Sequence, residues 1–141
     1  MDPLDFLAVA NKLYSSSEEA ERRTSVGRSY FALFNHVRRK IEPLRPVPTS
    51  DEAHRAVVYY LQHANDRDLS SVGQTLTNLR ASRNGADYQL DDVVTDKDSG
   101  MAISIARKAV AKLDGVGNTA LANAVRAVPQ FQARRHNPGR S

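Results

Sequence analysis

The sequence has no cysteine, and this absence excludes both a disulfide framework and a metal site built from thiolates. No apolar run approaches the roughly 18 residues that a membrane-spanning helix needs. The first residues, from Met1 to Asp5, are acidic and lack the basic start and the apolar segment of a signal peptide. We therefore expect a cytoplasmic protein that has no contact with a membrane.

Several catalytic motifs are also missing. The sequence has no glycine-rich phosphate-binding loop, no nucleophile elbow and no His-Glu-x-x-His helix. None of its four histidines pairs with another at the i, i+4 spacing of a helical metal site. It has no run of aromatic residues interleaved with basic ones, the pattern of a stacking platform for single strands. We therefore expect neither a metal ion nor a cofactor.

Acidic residues are absent from the C-terminal part of the chain. All 16 of them lie at or before Asp114, so the formal net charge of +4 belongs to the residues that follow. Residues 115–141 therefore form a basic extension, which is either a solvated tail or a contact for phosphates or an acidic partner. Its cations are Arg126, Arg134, Arg135 and Arg140.

Helical periodicity dominates what is present. With 40% hydrophobic and 26% charged residues, the chain has the composition of a single soluble globular domain. No segment has the pattern of a strand, whereas apolar residues recur at helical spacing in five segments. These segments cover about residues 3–14, 18–41, 50–63, 69–88 and 95–113. A weaker helix follows at 119–128, before a disordered-looking end. We predict an all-α, up-and-down bundle of four to five helices over residues 1–114.

Two helix starts carry a capping signal. Thr49 followed by Glu52 predicts a capping box for the third helix, and Thr95 followed by Asp98 caps the fifth. The prolines between the second and third helices form a rigid connector.

Apolar stripes predict the core. The second helix carries Val26, Tyr30, Leu33, Phe34, Val37 and Ile41. The fifth helix carries Ala102, Ile105, Ala106, Ala109 and Leu113. Both stripes have the spacing of one helix face.

The fourth helix carries the most informative pattern of the chain. Leu69, Val72, Leu76 and Leu79 occupy one face, and the next position on that face is Arg83. A cation that continues an apolar stripe needs an anion, an interface or a cleft, because an unpaired buried charge is very costly. Asp87 lies one turn further on. Either an Arg83–Asp87 pair caps the core, or a functional site is built at this helix end.

Two groups of polar residues are the candidates for such a site. Arg80, Arg83, Asn84, Asp87 and Tyr88 cluster near the end of the fourth helix. Arg28, Asn35 and His36 on the second helix either line a cleft against the fourth helix or are simply solvated beside a core of aromatic residues. An arginine held by packing is a good clamp for a phosphate, because its charge is permanent and its donors form a planar fork.

The same two segments resemble a known family. Arg28-Ser29-Tyr30-Phe31-Ala32-Leu33-Phe34 is similar to the R-x-Y-Y-A-x-F signature on the second helix of HEPN domains. The segment from Leu79 to Tyr88 is similar to the L-R-x-x-R-x-x-A-D-Y pattern on their fourth helix. The resemblance covers about residues 3–114 and implies a helical bundle that dimerises face to face. It further implies a toxin–antitoxin, phage-defence or CRISPR-associated setting, often beside a minimal nucleotidyltransferase partner.

Active members of that family are metal-independent endoribonucleases. They use an R-x(4–6)-H motif on the fourth helix, with one copy per protomer meeting across the dimer. Arg83 matches the arginine of this motif, and Asn84 matches the polar residue that often follows it. The histidine is missing, since Tyr88, Gln89 and Leu90 fill the allowed positions.

Two functions are compatible with these observations. The first is a non-catalytic or regulatory homodimer that binds RNA, a nucleotide or a partner protein through a cleft at Arg83, with Arg28, Arg80 and His36 as further binding residues. The alternative is an endoribonuclease toxin with a variant site made of Arg83, Asn84, Asp87 and Tyr88. In that site Arg83 stabilises charge, Asp87 accepts a proton and His36 donates one from the neighbouring helix.

Overall fold

The computed structural model describes residues 1–133, and this stretch contains six helices. They are α1 (Asp5–Leu13), α2 (Glu19–Ile41), α3 (Glu52–His63), α4 (Arg67–Tyr88), α5 (Asp96–Asp114) and α6 (Asn118–Arg126). This stretch contains no strand, so the predicted all-α bundle is confirmed. The sixth helix is the weak helix that the sequence predicts in the C-terminal extension.

Helix α2 is the central element and packs against α1, α4 and α5. Its predicted apolar stripe is buried throughout, from Val26 to Ile41. On α4 the four residues from Leu69 to Leu79 are also buried, as predicted. Burying a side chain of this size contributes roughly 1.5–3 kcal/mol. The helices that carry the candidate site are therefore fixed to each other by the core beneath it.

Capping explains where two of the helices begin. The Thr95 hydroxyl accepts a hydrogen bond from the Asp98 amide (3.1 Å), and the Asp98 carboxylate accepts one from the Thr95 amide (3.0 Å). The predicted cap of α5 is therefore confirmed as a full capping box. On α4 the Asp66 carboxylate accepts a hydrogen bond from the Leu69 amide (2.9 Å), so this helix begins at Arg67, before the predicted start.

The capping box predicted for α3 is wrong. This helix begins at Glu52, and the residue before it, Asp51, makes no side-chain cap. The Ser50 hydroxyl accepts the Glu52 amide proton (3.3 Å), while the Glu52 carboxylate pairs with Arg55. A local serine turn has replaced the reciprocal bonds expected from Thr49.

One residue of the predicted α5 face is also wrong. Ile105 is 38% exposed, and Ile103 is buried in its place. The buried arc of α5 includes Ser99, Ala106 and Val110, which places Ile103 inside it and Ile105 at its edge. The buried arc of α5 is therefore centred nearer Ser99 and Ala106 than the stripe read from the sequence.

The first part of the C-terminal extension packs against the bundle. Leu121, Val125 and Val128 are buried in the same core as the preceding helices. The Arg45 guanidinium donates hydrogen bonds to the carbonyl oxygens of Arg126 (2.5 Å) and Val128 (2.9 Å). The disordered-looking end predicted after residue 128 begins, in the structure, with residues that contact α3, since the Phe131 amide donates a hydrogen bond to the Tyr60 hydroxyl. Residues 134–141, with Arg134, Arg135 and Arg140, lie outside the described residues. Within residues 1–133 no helix is both long and apolar enough to cross a membrane.

Candidate functional site

Arg83 lies on aromatic rings rather than inside the core. Its guanidinium carbon is 4.8 Å from the centre of the Phe31 ring and 5.9 Å from that of Tyr30, both on α2. A guanidinium over a ring face is attracted by the ring's electron density, by about 0.5–2 kcal/mol depending on exposure. The apolar stripe of α4 thus ends at a cation, Arg83, which packs against two aromatic rings of α2.

The predicted Arg83–Asp87 pair is present as well. The Arg83 Nε atom lies 3.4 Å from the Asp87 Oδ2 atom, and both side chains are partly exposed. An exposed i, i+4 pair contributes only about 0.3–0.5 kcal/mol. Such a weak partner leaves the guanidinium available to a stronger anion.

A small open cleft surrounds this pair. It has a volume of about 180 Å³. Gly27 has no side chain to fill the cleft, where a Cβ atom would lie 3.9 Å from the Arg83 Cγ atom. Arg28 adds a second guanidinium, which lies 5.5 Å from the centre of the Phe6 ring. The cleft residues are Thr24, Gly27, Arg28, Phe31, Arg83 and Asp87.

Two neighbouring arginines have no carboxylate partner within residues 1–133. They are Arg28 in the cleft and Arg80, one helical turn before Arg83. The charge of Arg80 acts on the buried groups beside it, where it favours the neutral form of His54. This side of the bundle therefore presents cations in excess of anions.

Beneath the Arg83 guanidinium lies a buried polar pair that the sequence analysis did not identify. The Tyr30 hydroxyl and the His54 Nδ1 atom are 2.6 Å apart. Burial raises the pKa of Tyr30 to about 12, against the opposing effect of Arg80 and Arg83. Burial, assisted by Arg80, lowers the pKa of His54 to about 4. At neutral pH this is a hydrogen bond between a neutral phenol and a neutral imidazole.

A sequence signal for His54 existed. It stands on the buried face of α3 with Val57 and Leu61, at spacings of three and four residues. A histidine in an apolar stripe needs a polar partner, but nothing in the local sequence identifies that partner as Tyr30.

The expectation that Asn35 and His36 face α4 is wrong. His36 Nε2 lies 2.8 Å from the Asp114 Oδ1 atom at the end of α5, and Lys40 Nζ lies 2.8 Å from the same oxygen. Burial alone would raise the pKa of Asp114, but the hydrogen bonds from Lys40 and His36 outweigh this effect and keep it below its usual value. Asn35 lines a surface depression beside the N-terminus. Both residues lie about two helical turns beyond Arg28, which carries them past the cleft.

The predicted residues of α4 separate into three groups. Arg83 and Asp87 line the cleft, whereas Arg80 lines a groove between α3 and α4. Asn84 and Tyr88 are exposed and line neither, and Tyr88 is 75% exposed. They lie one turn apart, so the helical rotation turns both away from α2.

Arg23 is a positioning residue that the sequence analysis missed. It pairs with Glu19 (2.8 Å) and donates hydrogen bonds to the carbonyl oxygens of Ala86 (2.7 Å), Gln89 (3.3 Å) and Asp92. It therefore supplies a donor to the Ala86 carbonyl in the last turn of α4 and a second one to the Gln89 carbonyl, which also accepts from the Asp92 amide. Hydrogen bonds from Arg23 and then from the Val94 amide hold the pKa of Glu19 below its usual value.

An apolar surface lies near the ends of α4 and α5. Met101 and Ile105 line a groove of about 290 Å³ there, and both are partly exposed (53% and 38%). Tyr88, Leu90 and Val93, at the end of α4 and in the loop after it, are 68–75% exposed. These two sets of exposed apolar side chains, Met101 with Ile105 and Tyr88 with Leu90 and Val93, are candidates for a protein interface.

The described residues contain no cluster of three or more His, Asp and Glu side chains that could hold a metal ion. The remaining described histidine, His63, contacts the Tyr59 carbonyl oxygen through Nδ1 (2.9 Å). None of the described histidines lines the Arg83 cleft.

Comparison with known proteins gives one distant relative and no family. The chain is 27% identical over 106 residues to an uncharacterized protein of Methanocaldococcus jannaschii. The alignment covers 62% of this chain and 60% of the relative, so the chain spans well under two thirds of that protein's length. No family model matches the sequence, and no solved structure matches it either.

Proposed function

We propose that this chain is a HEPN-like module of a toxin–antitoxin or phage-defence system. It acts as a non-catalytic or regulatory homodimer that binds RNA, a nucleotide or a partner protein through the Arg83 cleft. The observation that supports this proposal is the position of Arg83, held on the Phe31 ring in an open cleft beside an unpaired Arg28. Of the described residues that line the cleft, Asp87 alone offsets these two positive charges.

The cleft is suited to an anionic ligand. A guanidinium offers planar, paired donors that match a phosphate or a carboxylate, and it remains charged at every physiological pH. Contact with the Phe31 ring limits the motion of Arg83 before a ligand arrives, so less entropy is lost on binding.

The side chains of the cleft favour binding over catalysis. Cleavage of RNA through its 2′-hydroxyl needs a proton acceptor and a donor to the leaving oxygen. Among the described residues, Asp87 is the only carboxylate that lines the cleft, and no described imidazole lines it to donate a proton. His36, the expected donor, is engaged with Asp114.

The apolar surface near the cleft supports the dimer. Tyr88 follows Asp87 directly, so a partner that covers Tyr88, Leu90 and Met101 comes close to the cleft. A second copy would bury these side chains and bring a second Arg83 toward the first. A nucleotidyltransferase-type protein is the alternative partner for the same surface.

A ribonuclease function is the second candidate, because Asp87 lies 3.4 Å from Arg83. A carboxylate beside a guanidinium places a base next to a group that stabilises developing charge. In this alternative the endoribonuclease toxin is metal-independent and uses Arg83 and Asp87, with Asn84 and Tyr88 contributed at the dimer contact.

One experiment separates the two functions. The purified protein, Arg83→Ala and the matched control Arg107→Ala are incubated with total cellular RNA in excess EDTA, and both RNA retention and RNA length are measured. Arg107 is an exposed arginine on α5, so its variant loses the same charge away from the cleft. We expect the parent and the control to retain intact RNA, and Arg83→Ala to retain less of it. Cleavage by the parent and the control, but not by Arg83→Ala, would establish the ribonuclease instead.

A further inference from the structure

A second cationic groove lies between α3 and α4, away from the Arg83 cleft. It has a volume of about 390 Å³, within the usual range for small-ligand sites. Arg80 contributes from α4, Arg55 and Tyr59 from α3, and Phe131 from the segment after α6. Its residues are remote from one another in sequence, which is why no linear pattern reveals it.

Three rings are grouped in this groove. The Tyr59 ring centre lies 4.5 Å from that of His63 and 5.6 Å from that of Phe131, and the planes of Tyr59 and Phe131 are inclined by 56°. His63 is exposed, and Tyr59 and Phe131 are partly exposed. Ring surface thus remains accessible at the groove.

The aromatic group is held in place by hydrogen bonds. The Tyr59 hydroxyl donates to the Pro129 carbonyl oxygen (2.9 Å), and the Phe131 amide donates to the Tyr60 hydroxyl (2.9 Å). Tyr60 is fully buried, so it anchors Phe131 to the core. The rings are therefore positioned in advance, which lowers the entropic cost of binding a ligand.

Cations flank these rings. The Arg55 guanidinium lies 5.6 Å from the centre of the Phe131 ring. Arg80 has no carboxylate partner within residues 1–133, whereas Arg55 has Glu52.

We infer that this groove binds one nucleotide unit of a single-stranded nucleic acid. The base stacks on the exposed ring surface of Tyr59 and Phe131, and the phosphate contacts Arg80, with Arg55 beside it. Stacking on aromatic side chains next to a positively charged track is how proteins bind single strands without reading their sequence. An acidic peptide would use the cations but would gain little from the rings. This site uses different residues from the Arg83 cleft and is separate from the function proposed above.

The test measures binding of a short fluorescein-labelled oligoadenylate by fluorescence polarisation, over a series of salt concentrations. Phe131→Leu keeps an apolar side chain but removes the ring, and we expect it to weaken binding about tenfold with an unchanged salt dependence. Arg80→Gln should weaken binding and reduce the slope of log affinity against log salt by about 0.7, the value for one lost phosphate contact on a single strand. Arg107→Gln, the matched loss of charge on α5, should bind as the parent does.

A second probe needs no variant and therefore cannot fail through misfolding. An abasic strand of the same length carries the phosphates without the bases, and we expect the parent protein to bind it about tenfold more weakly than oligoadenylate. Equal binding of the two strands, or parental affinity in both Phe131→Leu and Arg80→Gln, would overturn the inference. So would the absence of any binding by the parent. Arg83→Ala, measured in parallel, reports on the cleft alone, so either site can fail while the other is supported.

Discussion

The buried Tyr30–His54 hydrogen bond makes the stability of this protein depend on pH. In the unfolded chain His54 has an ordinary pKa of 6.5, whereas burial lowers its pKa to about 4 in the folded protein. Between pH 6.5 and about pH 4, His54 binds a proton in the unfolded state but not in the folded protein. The free energy of unfolding therefore falls as the pH falls through this range. The nearby charge of Arg80 acts in the same direction, because it disfavours an imidazolium ion.

The size of the effect follows from the two pKa values. Each pH unit below 6.5 lowers the free energy of unfolding by up to about 1.36 kcal/mol for each proton that only the unfolded state binds. Acidification from pH 7 to about pH 5 should therefore lower it by about 2 kcal/mol through His54. The carboxyl groups whose pKa values are lowered, such as Asp98 and Asp114, lose their contribution only below their unfolded values of 3.8. The interval between pH 7 and pH 5 therefore avoids the titration of these carboxyl groups.

Urea unfolding at a series of pH values measures this contribution. His54→Asn is the matched variant. The asparagine side-chain oxygen occupies nearly the place of Nδ1, so it accepts a hydrogen bond from the Tyr30 hydroxyl, and it does not titrate. We expect the parent to lose about 2 kcal/mol more than His54→Asn on going from pH 7 to about pH 5. Parallel pH curves for the two proteins would refute the conclusion that the folded state holds His54 neutral.

Three further predictions concern particular residues. Thr95→Ala removes the capping box of α5 and should cost about 1 kcal/mol in urea unfolding, with no change of oligomeric state. Gly85→Ala should raise the free energy of unfolding by up to about 1 kcal/mol, since the new Cβ atom meets only one side-chain oxygen, at 3.6 Å. Gly73→Ala should raise it less or lower it, because the new Cβ atom would lie 3.1 Å from a side-chain carbon of α3. Light scattering should give about twice the 15.6 kDa chain mass for the parent protein. Met101→Asp should give the mass of one chain, whereas Ser104→Asp, a control at an exposed position, should give the same mass as the parent. A parent that is monomeric at micromolar concentration would exclude the proposed dimer.

Local patterns predicted most of the fold. The stripe from Leu69 to Leu79 and the Thr95 cap depend on residues within one helix or one turn, so a single sequence reveals them. The Arg83–Asp87 pair was predicted for the same reason, since it is set by helix geometry alone.

Contacts between helices were beyond the reach of the sequence. The stacking of Arg83 on Phe31 and the bond from Tyr30 to His54 depend on how three helices pack. His36 was assigned to the wrong neighbour because a helix position does not say which of the adjoining helices it will meet. The C-terminal segment was missed as part of a groove, since Phe131 acquires its partners only after the chain has folded back on α3.

The hydrogen bonds of Arg23 have a consequence for how the Arg83 cleft can respond to a ligand. The cleft lies between α2 and α4, and Arg23 joins the first turn of α2 to the last turn of α4 just beyond it. Separating the two helices at this end would break several hydrogen bonds to a charged donor, each of which contributes about 1.5–3 kcal/mol. These bonds therefore resist widening of the cleft at this end. A ligand that needs a wider cleft must break them and should bind more weakly.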